Sequence, residues 1–179
     1  MRFLHTADWH VGKPLRGRSR MDEYARALGQ VAGIAVDRKV DAVLIAGDVF
    51  DSPAPPPEAE KLVYDFLARL VSERIACVLI AGNHDHPRKL GALASLLEGL
   101  RVHVRPEVRP PDQGGVVSLA SRDGSEGAKI AVLPFVPERR VVDACMVMDA
   151  ERQWFDAYGK RIEDILAALV KGLPATSIN

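Results

Sequence analysis

Three short stretches hold side chains whose types and spacing could do chemistry: Asp8-Trp9-His10, Gly47-Asp48-Val49-Phe50-Asp51 and Gly82-Asn83-His84-Asp85. Carboxylates, imidazoles and an amide that converge form a mixed oxygen and nitrogen donor set. Such a set, with room for water, suits manganese, iron or zinc better than an all-oxygen calcium cage. A carboxylate can bridge two ions, and Asp48 is the central acid of the group. Two bridged ions about 3.5 to 4 Å apart can clamp the attacking and leaving oxygens of an in-line phosphoryl displacement, and one of them can make hydroxide available near neutral pH. His84 could then stabilise charge on the phosphate or protonate the leaving oxygen, with Asp85 orienting it as carboxylates commonly orient imidazoles.

The chemistry needs all three stretches at one place, and the flanking pattern supplies it. Each stretch follows a short apolar run, at residues 3–7, 42–46 and 75–80, that reads as a strand; the third is branched enough to be buried on both faces. Helical periodicity fills the gaps. Tyr24, Leu28, Val31 and Ala35 predict a helix from about Asp22 to near Lys39. Ala59, Leu62, Val63, Phe66, Leu67, Leu70 and Val71 predict another from about Glu58, delayed by Pro53, Pro55, Pro56 and Pro57. Pro87 fits a first helical position, with Leu90, Leu93, Ala94 and Leu97 following up to Gly99. Alternating strands and helices imply right-handed crossovers and a parallel sheet, whose carboxyl edge would gather the three loops.

The second half changes character. Residues 102–104, 116–119 and 129–133 are strand candidates separated by Pro, Gly and Asp clusters, which predicts a second, mixed or antiparallel sheet packed on the first. A last helix from about Asp149 would align Phe155, Tyr158, Ile162, Ile165, Leu166 and Leu169, stopping at Gly172 and Pro174. The class is therefore α/β.

With 179 residues the chain can bury one domain's core, and Lys+Arg 24 against Asp+Glu 24 leaves no net charge to advertise a polyanionic partner. Any nucleic-acid contact must be local, and the polar loop carrying Lys13, Arg16, Arg18 and Arg20 beside the first acidic stretch is the candidate. Cys77 and Cys145 lie in apolar surroundings without metal-type spacing and read as buried free thiols. There is no long apolar run, so the expected location is cytoplasmic, away from membrane. Asp51 reads as a turn carboxylate, His86 as an imidazole near a helix start, and His5 as a packed core residue; His103 has no assigned role.

The set Asp8-x-His10, Gly47-Asp48-x-x-Asp51 and Gly82-Asn83-His84-Asp85 resembles, in order and spacing, the first three motifs of the calcineurin-like metallophosphoesterases. His5-Thr6-Ala7-Asp8-Trp9-His10-Val11-Gly12, Ala46-Gly47-Asp48-Val49-Phe50-Asp51 and Leu133-Pro134-Phe135 narrow this to a likeness with SbcD-type nuclease subunits. The resemblance implies an α-β-β-α sandwich, Asp8, His10 and Asp48 on one manganese ion, Asp48 and Asn83 on a second, and His84 as the catalytic imidazole. It implies a DNA exonuclease and endonuclease of repair, recombination and replication, homodimeric and partnered by an SMC-like ATPase of SbcC type. Alternatives are a phosphoesterase acting on small esters or cyclic nucleotides, and a module competent only to fold and dimerise. The family's later Gly-His and Gly-His-x-His motifs, its capping domain and its ATPase-binding segment have no match here, so residues 1–179 are expected to be the N-terminal part of the nuclease domain. At most one weakly held ion and little or no nuclease activity are then expected of this chain.

Overall fold

The computed structural model describes residues 1–137 and 151–174, with the side chains of 151–157 left aside. Strands β1 (Phe3–Thr6), β2 (Ala42–Ala46), β3 (Ala76–Ile80) and β4 (Val102–Arg105) form one sheet in that order, each neighbouring pair parallel. Helices α1 (Met21–Asp37), α2 (Pro57–Ser72) and α3 (Pro87–Leu97) make the crossovers. Right-handed connections in an order that never reverses must all fall on one face of the sheet. The packing agrees: Val43, Ile45, Cys77, Leu79, Val102 and Val104 join Leu28, Ala32, Val63, Phe66, Leu70 and Leu90 in one core.

The other face must find a different cover. There Ala42, Ala76 and Val78 meet Val117, Leu119 and Val132, carried on or beside an antiparallel pair, β5 (Val116–Ala120) and β6 (Gly127–Ala131). The C-terminal end of α4 (Glu151–Val170) rests on this second layer, where Leu169 is buried so closely against Gly115 that a Cβ there would lie 2.8 Å from its Cδ2. Helices, parallel sheet, antiparallel pair and helix thus follow the expected layer order. Ile162 and Ile165 are half-buried, whereas Leu166 of the predicted stripe is exposed. Asp149 and Cys145 lie outside the described residues, as does the Phe155 side chain.

Two expectations change. Residues 102–105 belong to the first sheet, not the second, because α3 and the 3-10 turn Glu98–Leu100 form a full crossover that returns the chain alongside β3. Glu98 anchors the return: it accepts from both terminal nitrogens of Arg105, at 2.8 and 2.9 Å, and lies 2.7 Å from His103 Nδ1. Those contacts hold the Glu98 carboxyl down at about 2, the Arg105 bond contributing most, and they give His103 a structural partner. His5 is exposed rather than packed. It shares with Phe3 the face turned away from the helices, on the edge strand beyond the reach of β5 and β6, and Phe3 itself is 41% exposed. Cys77 is buried as expected, and burial pushes its thiol up to about 12, which makes it chemically inert.

Candidate metal centre

The loops after β1 and β2 continue their parallel pairing beyond the strands. Asp8 N–H donates to the Gly47 carbonyl (3.1 Å), His10 N–H to that of Asp48 (2.9 Å) and Val11 N–H to that of Val49 (3.0 Å); Asp51 N–H returns to the Val11 carbonyl (3.2 Å). This ladder holds Asp8, His10 and Asp48 at φ values of +55°, +46° and +50°. Each such left-handed residue costs about 1–3 kcal/mol and persists only where its surroundings over-determine it. Trp9 adds a further restraint, since its Nε1–H donates to Thr6 Oγ1 (2.8 Å) and its ring packs edge-to-face on Phe66 of α2 at 5.0 Å.

The loop after β3 closes on the same point. Gly47 and Gly82 allow the approach: a Cβ on Gly82 would lie 2.0 Å from Asp48 Oδ1, and one on Gly47 2.8 Å from the Gly82 Cα. Asp85, 5% exposed, accepts from the backbone N–H groups of Gly82 (2.9 Å), Phe50 (3.1 Å) and Val49 (3.3 Å). It therefore ties the second loop to the third and does not pair with His84 as its role in orienting that imidazole requires. The partner of His84 is instead the Asp51 carbonyl, 2.8 Å from Nδ1. A carbonyl only accepts, so Nδ1 carries the hydrogen and Nε2 is left for a ligand or a phosphate.

One donor atom each from His10, Asp48 and His84 lies within 4.8 Å of the others. The two imidazoles stand edge-to-face at 4.7 Å, and His10 Nε2 is 3.7 Å from Asp48 Oδ2. His10 Nδ1, 3.5 Å from Asp51 Oδ1, is a buried nitrogen with no hydrogen bond among the described residues. Borderline nitrogen donors, a carboxylate 8% exposed and an orphaned ring nitrogen fit a divalent cation. Among the described residues Asp8 stays outside this trio, exposed on the same rim, and Asn83 is exposed between Gly82 and His84. His84, expected beside the metal, is within the trio. His86 is exposed and caps α3, its Nδ1 accepting from Lys89 N–H.

Sequence reasoning passed over Trp9, Thr6 and the Asp51 main chain. For Asp51 the signal was its place three residues after Asp48; a backbone carbonyl leaves none. The Leu133-Pro134-Phe135 stretch also returns to the site, for Phe135 N–H donates to the Ala81 carbonyl at 2.9 Å. In the basic loop Lys13 Nζ lies 3.4 Å from Asp51 Oδ1, and Arg20 pairs with Glu23. No helix among the described residues is long and apolar enough to cross a membrane.

Residues 1–145 match the calcineurin-like phosphoesterase family. The chain is 46% identical over 105 residues to a Bacillus subtilis protein named as the SbcD component of the nuclease SbcCD, covering 58% of this chain and 27% of that one. Proteins of the same name from Rhodobacter capsulatus and Escherichia coli K12 are 41% and 34% identical, over 76% and 79% of this chain and 35% and 34% of their own length. The chain thus spans about a third of the length of the curated relatives it matches.

Proposed function

The chain belongs to the calcineurin-like phosphoesterase family, whose members use divalent metals, and from that premise we propose that it carries the metal-binding half of a nuclease site that hydrolyses phosphodiester bonds in DNA. The observation that supports this reading is the convergence of His10, Asp48 and His84 from three consecutive strand ends. His10 and Asp48 would hold the metal, with Asp8 and Asn83 on the same rim as further donors and His84 beside it as the catalytic imidazole, and manganese is the ion we assign. When bound, the metal supplies charge neutralisation for the phosphate and hydroxide near neutral pH.

The chain's own residues do the rest. Asp48 Oδ1 takes the His84 N–H at 3.0 Å, so the acid and the third loop are held as one unit. The Asp51 carbonyl takes the Nδ1 hydrogen of His84 and so leaves Nε2 for the substrate: this nitrogen can take a proton from the attacking water, and the imidazolium so formed can give it to the leaving oxygen. Lys13, Arg16, Arg18 and Arg20, on the loop that follows the Asp8-Trp9-His10 stretch, are the residues we assign to contact with DNA. DNA is favoured over a small phosphate ester because this loop concentrates cations in a chain whose charges balance overall. An SbcC-type SMC-like ATPase as partner, which the relatives' names as subunits of the nuclease SbcCD support, together with a homodimer and a cytoplasmic role in DNA repair and recombination, completes the proposal.

Calorimetric titration with manganese tests it. One weakly bound ion per chain is expected, lost in Asp48→Ala, and any cleavage of linear DNA should need both manganese and Asp48. A chain that takes up no divalent ion, or cleavage that survives Asp48→Ala, would sink the proposal.

A further inference from the structure

An open cleft lies on the side of the molecule where both sheets end. β4 is the last strand of the parallel sheet, and β5 pairs only with β6 among the described residues, so each presents a free edge. Between these edges, at the amino end of β4, is a cavity of about 510 Å³, the size of a small-molecule site. Its wall on the β5 side is main chain. Ser121 N–H donates to the Glu126 carbonyl and Val132 N–H to that of Gly115, each at 2.9 Å, and the register between them pairs Val117 with Ile130 and Leu119 with Ala128. Residues of an antiparallel ladder alternate between bonding their partner and facing outward. Ser118 and Ala120 therefore turn their N–H and C=O groups away from β6. The Ala120 carbonyl shows that this direction is the cleft, for it accepts from Arg101 Nη2 at 2.7 Å, and both residues line the cavity. The N–H and C=O of Ser118 have no partner among the described residues.

The side chains around this edge have donors to spare. Glu98 is occupied by Arg105 and His103, and Asp123 Oδ1 accepts from Ser121 Oγ (2.6 Å) and from the N–H (3.0 Å) and Oγ (2.7 Å) of Ser125. Arg101 meets only carbonyl oxygens, those of Arg74 and Ala120, and the exposed Arg122 side chain has no hydrogen bond or ion pair among the described residues. Arg101 also has φ of +63° at a helix end, a position where glycine is the usual choice. Two guanidiniums without a carboxylate suit phosphate oxygens, which they bind with a planar fork of donors. Protection of a strand edge accounts for a guanidinium on the Ala120 carbonyl. It accounts neither for the open Ser118 nor for a cavity much larger than a bare anion. Ser118 and Ala120 are two residues apart, about 6.8 Å along a strand, a span that the ribose of a nucleotide bridges between phosphate and base.

We propose that the cleft between β4 and β5 binds a mononucleotide: Arg101 and Arg122 hold its phosphate, and the N–H and C=O of Ser118 pair with the donor and acceptor edge of its base. The site lies at the amino end of the strands, away from the metal centre at their carboxyl ends, and it stands without the nuclease reading.

Binding to the 179-residue chain in EDTA tests it. Deoxyadenosine 5′-monophosphate, inorganic phosphate and deoxyadenosine are each titrated by calorimetry, and backbone amide shifts are followed by NMR for the first. The monophosphate should bind saturably and at least about tenfold tighter than either fragment, because each fragment forfeits one set of hydrogen bonds. Shifts should appear at Ser118, Ala120 and Arg122 and not at His84. Arg122→Gln should weaken the monophosphate about fivefold or more by removing a charge-assisted bond, and leave deoxyadenosine unchanged. Ser118→Pro removes an edge N–H that the ladder does not use, and should bring the monophosphate down to the affinity of inorganic phosphate. Both variants are melted by circular dichroism; the Arg122 side chain is exposed, so Arg122→Gln should melt as the wild type does and decides the matter even if Ser118→Pro does not fold. No saturable binding by the wild type, equal affinity for the monophosphate and inorganic phosphate, shifts confined to the His10 and His84 loops, or undiminished affinity in Arg122→Gln would each overturn the proposal.

Discussion

The backbone N–H of His84 donates to Oδ1 of Asp48 at 3.0 Å, while Oδ2 of the same carboxylate lies 3.7 Å from His10 Nε2. One side chain therefore meets groups from both of the other loops. Asp48→Ala should remove manganese binding altogether and also loosen the third loop, seen as loss of the calorimetric signal and faster amide exchange at His84. Asp48→Asn should keep the loop ordered, because an amide oxygen still accepts, yet bind manganese at least about tenfold more weakly, since a neutral amide is a poorer ligand than a carboxylate.

His84 has its Nδ1 engaged by the Asp51 carbonyl, so its remaining nitrogen carries the chemistry. In a longer version that carries the family's later metal motifs, His84→Ala should lower manganese-dependent turnover of a phosphodiester by about 10² to 10⁴, the usual worth of a positioned acid or base. Manganese affinity should fall less than it does in Asp48→Ala. Equal losses of affinity in the two variants, measured by calorimetry, would make His84 a ligand first.

Gly82 leaves no room for a side chain, for an added Cβ would sit 2.0 Å from Asp48 Oδ1 and 2.3 Å from the Asp48 nitrogen. Gly82→Ala must push the second and third loops apart. Manganese binding should be lost while the helical circular dichroism signal persists, because the displaced groups are at the rim and not in the core.

Asp85 is buried and satisfies three backbone N–H groups. Asp85→Ala leaves all three without a partner at about 1–3 kcal/mol for each buried group. Urea unfolding should show a loss of about 3 kcal/mol or more. A loss under about 1 kcal/mol would mean that water replaces the carboxylate and that the staple is dispensable.

Glu98 is held near 2 in the folded chain, against 4.5 for an ordinary glutamate, chiefly by its bond to Arg105. A carboxyl with a lowered folded value stabilises the fold above the unfolded value and loses that contribution as pH falls through the folded one. Stability should therefore decline between pH 4.5 and 2 for this contact. The pair is partly exposed, so its worth is about 1 kcal/mol. Glu98→Gln should be less stable than wild type at pH 7 by that amount, and the difference should vanish at the acid end of the window in chemical denaturation.

Much of this architecture is written locally. The apolar runs before Asp8, Asp48 and Asn83, the stripe from Ala59 to Val71 and the proline at position 87 determine three strands, their helices and the sheet edge where the loops must lie, because a right-handed βαβ connection leaves little choice. The types of the chemical groups were legible for the same reason: each follows directly on a strand. What neighbours each group meets was not, since strand order and loop contact are settled by distant segments. β4 joins the first sheet because of a crossover and an ion pair with Glu98, and His5 is exposed because none of the described residues covers the edge strand at that point. Asp85 follows His84 in the chain, yet its carboxylate serves the backbone of Val49, Phe50 and Gly82, and the imidazole turns to the Asp51 carbonyl. Buried N–H groups must find acceptors wherever the fold brings one, and only the tertiary structure says which acceptor arrives.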